Sequence, residues 1–182
     1  VFHTIEGGAV CYGDPSLSTK LNDLKNFGIH DAETVPDVGG NAKMNEFCAS
    51  MGLCLLRHLE DEIKKREKAY DCYFSRLGGV PGIRLNPVAP GVKSNYAYFP
   101  VLFDGYRYSR DEVFARLAEQ DIIARKYFYP LTTAFDCYRG RPGFDVSLTP
   151  IAQHAAAHVL CLPMFAGLTE ETVSLICDII LG

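Results

Sequence analysis

"NYAYFPVLFDGYRYSRDEVFARLAEQDIIARKYFYP", residues 95–130, decides the reading of the fold. Its opening run to Phe103 is rich in aromatic and β-branched side chains, the composition of a strand. Ser109, with Asp111 and Glu112 behind it, is a helix start: the hydroxyl can take a free first-turn amide, and acids suit the positive end of the helix dipole. The helix "SRDEVFARLAEQ" then gives way to "DIIARKYFYP", a second strand-like run that stops at Pro130. Further on, a polar loop holding Thr132, Thr133 and Arg139 to Arg141 leads to a short helix from Pro150. A strand follows in "VLCLP", then a last helix from Thr169 to Leu181 with Glu170 and Glu171 in its first turn. This alternation predicts a small α/β sandwich, a sheet with helices on one face.

Toward the N-terminus, "LGGVPGIRLNPVAPGVKS" (residues 77–94) is dense in Gly and Pro and marks a boundary, giving domains 1–78 and 79–182. Ahead of it, Phe47, Met51, Leu55, Leu59 and Ile63 recur every four residues, and Tyr70, Phe74 and Leu77 extend the seam. One helix from Asn45 to Leu77 would be about 50 Å long at ~1.5 Å per residue, longer than a small domain is wide. Such a helix spans two domains or braces a larger body. "GGAVCYG" (residues 7–13) reads as a short buried strand, and "DPSLSTKLNDLKNFG" as a helix with Asp14 as cap, Pro15 in the first turn and Gly28 closing it.

Composition excludes several classes. A net charge of −4 over 182 residues, with no basic cluster, argues against nucleic acid. No apolar run approaches the ~18 residues of a membrane span, and the first residues lack the pattern of a signal peptide. The seven cysteines are widely spaced, odd in number and without a CxxC pair, which fits free thiols in a reducing cytoplasm better than disulfides or zinc.

Few clusters carry chemistry. His154 and His158 have the i, i+4 spacing by which two imidazoles meet one metal, but Ala155 stands where HExxH needs its acid, so surface or capping histidines are the better reading. Glu60, Asp61 and Glu62 are consecutive and fan around their helix. No phosphate loop of the GxxxxGK type occurs. In "GGNAKMNE" (residues 39–46), two glycines, Asn41 and Lys43 stand just before a helix. This is either an anion site or the end of a loop with a solvated lysine. In "ARKYFYPL", strand alternation would put Arg125, Tyr127 and Tyr129 on one face, as a ligand wall or a polar edge.

Taken in order, "EGGAVCYGD", "LKNFGI", "NAKMNEFCASMGL", "RKYFYPL" and "LCLPMF" resemble the C-terminal half of the DegT family of sugar aminotransferases. The resemblance implies a fold of the aspartate-aminotransferase class (fold type I): the rear of the large domain, a connecting helix and a small α/β domain. It also implies pyridoxal 5'-phosphate as cofactor, a nucleotide-linked 4-keto-6-deoxy sugar as substrate, and an amino donor, usually glutamate. Amino sugars of this kind serve polysaccharide biosynthesis. A cytoplasmic homodimer with shared sites goes with it. By the same resemblance Asn41 reaches the cofactor phosphate of a neighbouring subunit, while Lys43 and Tyr129 face the nucleotide sugar. Many members have His where Thr132 stands, so that position's role does not carry over. No catalytic residue is expected within these 182 residues, because the resemblance places the cofactor-binding lysine immediately ahead of Val1. Two other readings stay open: a sugar dehydratase, if His occupies that upstream position, and a non-catalytic module that dimerises or binds nucleotide sugar.

Overall fold

The computed structural model describes residues 1–182 and separates into two compact units, Phe2–Leu59 and Glu60–Gly182 with Val1. The first unit holds two helices, α1 (Leu17–Lys25) and α2 (Glu46–Leu56). Asn45 caps α2 by accepting the Cys48 amide at 2.9 Å. The start of α1 differs from expectation. Asp14 folds onto the Ser16 amide (2.9 Å) and its carbonyl takes that of Leu17 (3.1 Å), so the helix begins at Leu17.

The second unit is built on a three-stranded antiparallel sheet, in the order β1 (Ile83–Leu85), β2 (Phe99–Phe103), β3 (Val159–Leu162). Ile83 pairs with Phe103, and Phe99 with Leu162. Around it lie α3 (Leu59–Leu77), α4 (Arg110–Ala118), α5 (Pro150–His158) and α6 (Glu170–Leu181). Alternation along β2 sends Phe99, Val101 and Phe103 into the core, where they meet Tyr73 and Leu77 of α3, Val113 and Leu117 of α4, and Val173, Ile176 and Ile180 of α6. Val159 and Cys161, of opposite parity in β3, are buried as well, so that strand is covered on both faces. The expected helix starts form. Ser109 and Glu112 make a reciprocal capping box, and Thr169 accepts the Thr172 amide at 3.2 Å. Burial raises the thiol of Cys177 to about 12 and that of Cys161 above its usual range, so both behave as small apolar groups.

Three elements depart from the sequence reading. The helix expected over residues 45–77 is two: the Arg57 and His58 amides bond to Cys54 and Leu55, three residues back, and this tight turn ends α2 before α3 begins. The seam shifts with it, since α3 buries Ala69, Tyr73 and Leu77, while Phe47 of α2 is 83% exposed. Residues 7–13 form no strand; they are exposed, and no extended segment lies alongside to complete a ladder. The second strand-like run contracts to one bridge, Arg125 with Cys161 (3.0 and 2.8 Å), after which the Tyr127 and Tyr129 amides bond locally to Arg125 and Lys126. The Tyr127–Phe128 and Tyr129–Pro130 peptides are cis.

Tyr73 is fully buried, stacks on Phe99 with ring centroids 4.8 Å apart, and donates its hydroxyl to the Pro163 carbonyl at 3.2 Å. Phe99→Ala should therefore cost roughly 3–5 kcal/mol, read as a lowered denaturation midpoint with unchanged slope. A loss under about 1 kcal/mol would mean that this pair is not the centre of the core.

Candidate anion-binding site beside helix α1

In the first unit, the chain returns from its loop and lies along the C-terminal end of α1. Asn26 and Asn41 form an isolated antiparallel bridge. The amides of Gly40 and Ala42 donate to the carbonyls of Leu24 and Lys25, each at 2.9 Å, and the Phe27 amide donates to the Gly40 carbonyl at 3.0 Å. These bonds take up carbonyls that the end of α1 would otherwise leave unpaired. They require close approach: a β-carbon on Gly39 would lie 2.3 Å from the Gly28 nitrogen and 2.5 Å from the Leu24 oxygen. Gly28, at φ +79°, supplies the left-handed turn after the helix. The glycines of "GGNAK" thus have a local task, to place Asn41 and Lys43.

Both residues line an open cavity of about 840 Å³. Glu6, Gly7 and Gly8 form another part of its wall, and Asn22 and Lys25 of α1 a third. The Lys43 ammonium donates to Asn26 Oδ1 at 2.7 Å and lies 4.4 Å from the centre of the Phe27 ring. A flexible cation is thereby held in one place. With two lysines and two amide side chains against one carboxylate, the wall suits an anion such as a phosphate. The glycines let a ligand come close to backbone.

Tyr129 belongs to the second unit. It is exposed, and the Arg110 guanidinium lies 5.0 Å from its ring centre. Arg125 and Tyr127, expected to share its face, instead bond to each other. Two supporting residues were not foreseen. Asp23 of α1 is buried, with His30 Nδ1 at 3.2 Å from its carboxylate, which ties the returning loop to the helix. Arg110 is also buried: it donates to the carbonyls of Ala156 (3.0 Å) and Val159 (3.2 Å) and to Asp111 Oδ1 (2.8 Å). The spacing 110, 113, 117 would have placed it on the buried face of α4 with Val113 and Leu117.

Gly39→Ala should push the returning segment off α1, since the atoms it would strike are backbone. Faster hydrogen exchange at the Gly40 and Ala42 amides is the expected result. Unchanged protection at both would show that Gly39 does not set this approach.

The model of the DegT/DnrJ/EryC1/StrS aminotransferase family matches residues 1–181. The chain is 43% identical over 97% of its length to dTDP-4-amino-4,6-dideoxy-D-glucose transaminase of Escherichia coli, and 37% identical over 99% to the transaminase of the same name from Shigella dysenteriae. It covers 48% and 49% of these relatives, and so spans about half their length. Among solved structures, it resembles DesV of S. venezuelae, determined in complex with a ketimine intermediate, with TM-score 0.83 and 27% identity, covering 92% of this chain and 44% of that one. DesI, determined in the presence of its TDP-sugar product, gives TM-score 0.81 and 28% identity, over 92% and 42%. These neighbours have the fold expected of a pyridoxal-phosphate enzyme of fold type I, and the chain belongs to the DegT/DnrJ/EryC1/StrS aminotransferase family.

Proposed function

We propose that the complete protein is a pyridoxal-phosphate aminotransferase that converts a nucleotide-linked 4-keto-6-deoxy sugar into the amino sugar, with glutamate as donor. The similarity to two dTDP-4-amino-4,6-dideoxy-D-glucose transaminases over nearly the whole chain carries this reading. In the complete protein, residues 1–78 end the large domain with its connecting helix, and residues 79–182 form the small one. Ala69, Tyr73 and Leu77 pack that helix into the small domain's core.

The donors beside α1 fit the phosphate of the cofactor: Asn41 offers amide N–H groups, and Lys25 offers positive charge. When bound, the cofactor supplies an aldehyde to carry the amino group and a conjugated ring to take up electrons. The residues of this chain hold and orient. Asn41 donates to the phosphate bound by a neighbouring subunit, so that sites are shared across a homodimer. Lys43, restrained by Asn26, faces the anionic diphosphate of the nucleotide sugar. Tyr129, seated by Arg110 in its own unit, is assigned to nucleotide-sugar binding. Phe47, Leu53 and Leu56 of α2 are exposed apolar residues of the kind that a further domain or subunit covers. The free thiols suit a cytoplasmic enzyme, and its product suits polysaccharide biosynthesis.

Borohydride reduction of the full-length protein should add one phosphopyridoxyl group to its intact mass. With the dTDP-linked 4-keto-6-deoxy sugar and glutamate, the unreduced enzyme should yield an amino sugar. An unchanged mass would remove the lysine-bound form of the cofactor, and a dehydrated sugar without nitrogen would identify a dehydratase. Asn41→Ala should weaken cofactor binding by about tenfold, the worth of one hydrogen bond to a charged group, with the denaturation midpoint of the cofactor-free protein unchanged. Wild-type affinity would exclude Asn41 from the phosphate site.

A further inference from the structure

We propose that Asp104, His154 and His158 form a binding site for one divalent transition-metal ion of the zinc class, joining α5 to the turn that follows β2. One ligand atom from each residue lies within 4.8 Å of those of the other two. Asp104 was absent from the sequence reading because it comes from fifty residues earlier in the chain. The two imidazoles, one helical turn apart, stack with ring centres 4.1 Å apart and planes at 28°.

The hydrogen bonds prepare the ligands. His158 Nδ1 lies 2.7 Å from the His154 carbonyl oxygen, which can only accept. The Nδ1 therefore donates to that carbonyl, and Nε2 is the ring nitrogen left to face a metal. Metal-bound histidines are oriented in this same way, by donating their second N–H to a backbone carbonyl. His154 Nε2 lies 3.1 Å from Asp104 Oδ2, so a proton now sits where a cation would be shared by the two.

The other charged group facing the cluster is Arg84 of β1, whose Nη2 is 3.3 Å from the same carboxylate oxygen. It is exposed, and Asp104 has a second oxygen, so Arg84 competes weakly. Two imidazoles and a carboxylate select zinc, cobalt or nickel over magnesium and calcium, which prefer all-oxygen sites. Bond lengths of about 2 Å put tetrahedral ligand atoms roughly 3.3 Å apart. The half-exposed side chains reach that spacing by small rotations, and water fills the remaining position.

The test is a calorimetric titration of zinc chloride into untagged, reduced, chelator-stripped full-length protein, beside the His154→Ala/His158→Ala double variant. Thiol-bound zinc is common to both and cancels. Wild type should bind one more equivalent than the double variant, and Asp104→Asn should bind that equivalent at least tenfold more weakly. Equal stoichiometry in wild type and double variant overturns the site, and so does wild-type affinity in Asp104→Asn. Cobalt(II) gives a reading on the wild type alone. A visible d–d band without a thiolate charge-transfer band supports the site, and a spectrum with no band beyond those of thiolate-bound cobalt overturns it.

Discussion

The second unit depends on one apolar contact, the face of β2 against α3. Phe99, Val101 and Phe103 point to one side because strand side chains alternate, and Ala69, Tyr73 and Leu77 point back because they repeat at helical spacing. Tyr73 joins the two periodicities. Its ring stacks on Phe99, and its hydroxyl satisfies the carbonyl of Pro163 just beyond β3. Helices α4 and α6 complete the same core, and the sheet is thereby fixed among three helices.

Much of this was legible wherever a local rule and the tertiary environment agree. Ser109 with Glu112, and Thr169 before its acids, announced helix starts that the structure contains, because a cap is decided within four residues. The errors fall where a partner elsewhere in the chain decides. Residues 7–13 have strand composition but nothing to pair with. "DIIARKYFYP" has strand composition and meets β3 at one position only. The four-residue seam from Phe47 suggested one continuous helix, but periodicity does not reveal a change from i→i+4 to i→i+3 bonding at Arg57. The short strand β1 was hidden in a stretch whose glycines and prolines read only as breakers.

The candidate site was legible to a different depth. Asn41 and Lys43 stood out by residue type, and the glycines before them by φ freedom and small size. The residues that fix them in place did not stand out. Asp23 resembles any helix-surface acid until His30 is known to reach it, and Asn26 resembles a loop amide until Lys43 bonds to it. Sequence shows a functional group by its chemistry, but its orienting partners are defined only by proximity. Asp104 beside His154 is a further instance of that gap.

Arg110 has a consequence of another kind. Its guanidinium ties the start of α4 to the end of α5 and the start of β3, with the ring of Tyr129 against it. The stretch between Tyr129 and α5 is held mainly by hydrogen bonds between near neighbours in its short turns. Mutation can therefore explore that stretch without disturbing the frame, while position 110 admits little change. A fold arranged in this way separates what may drift from what must persist, and gives selection a loop to vary on a scaffold that stays put.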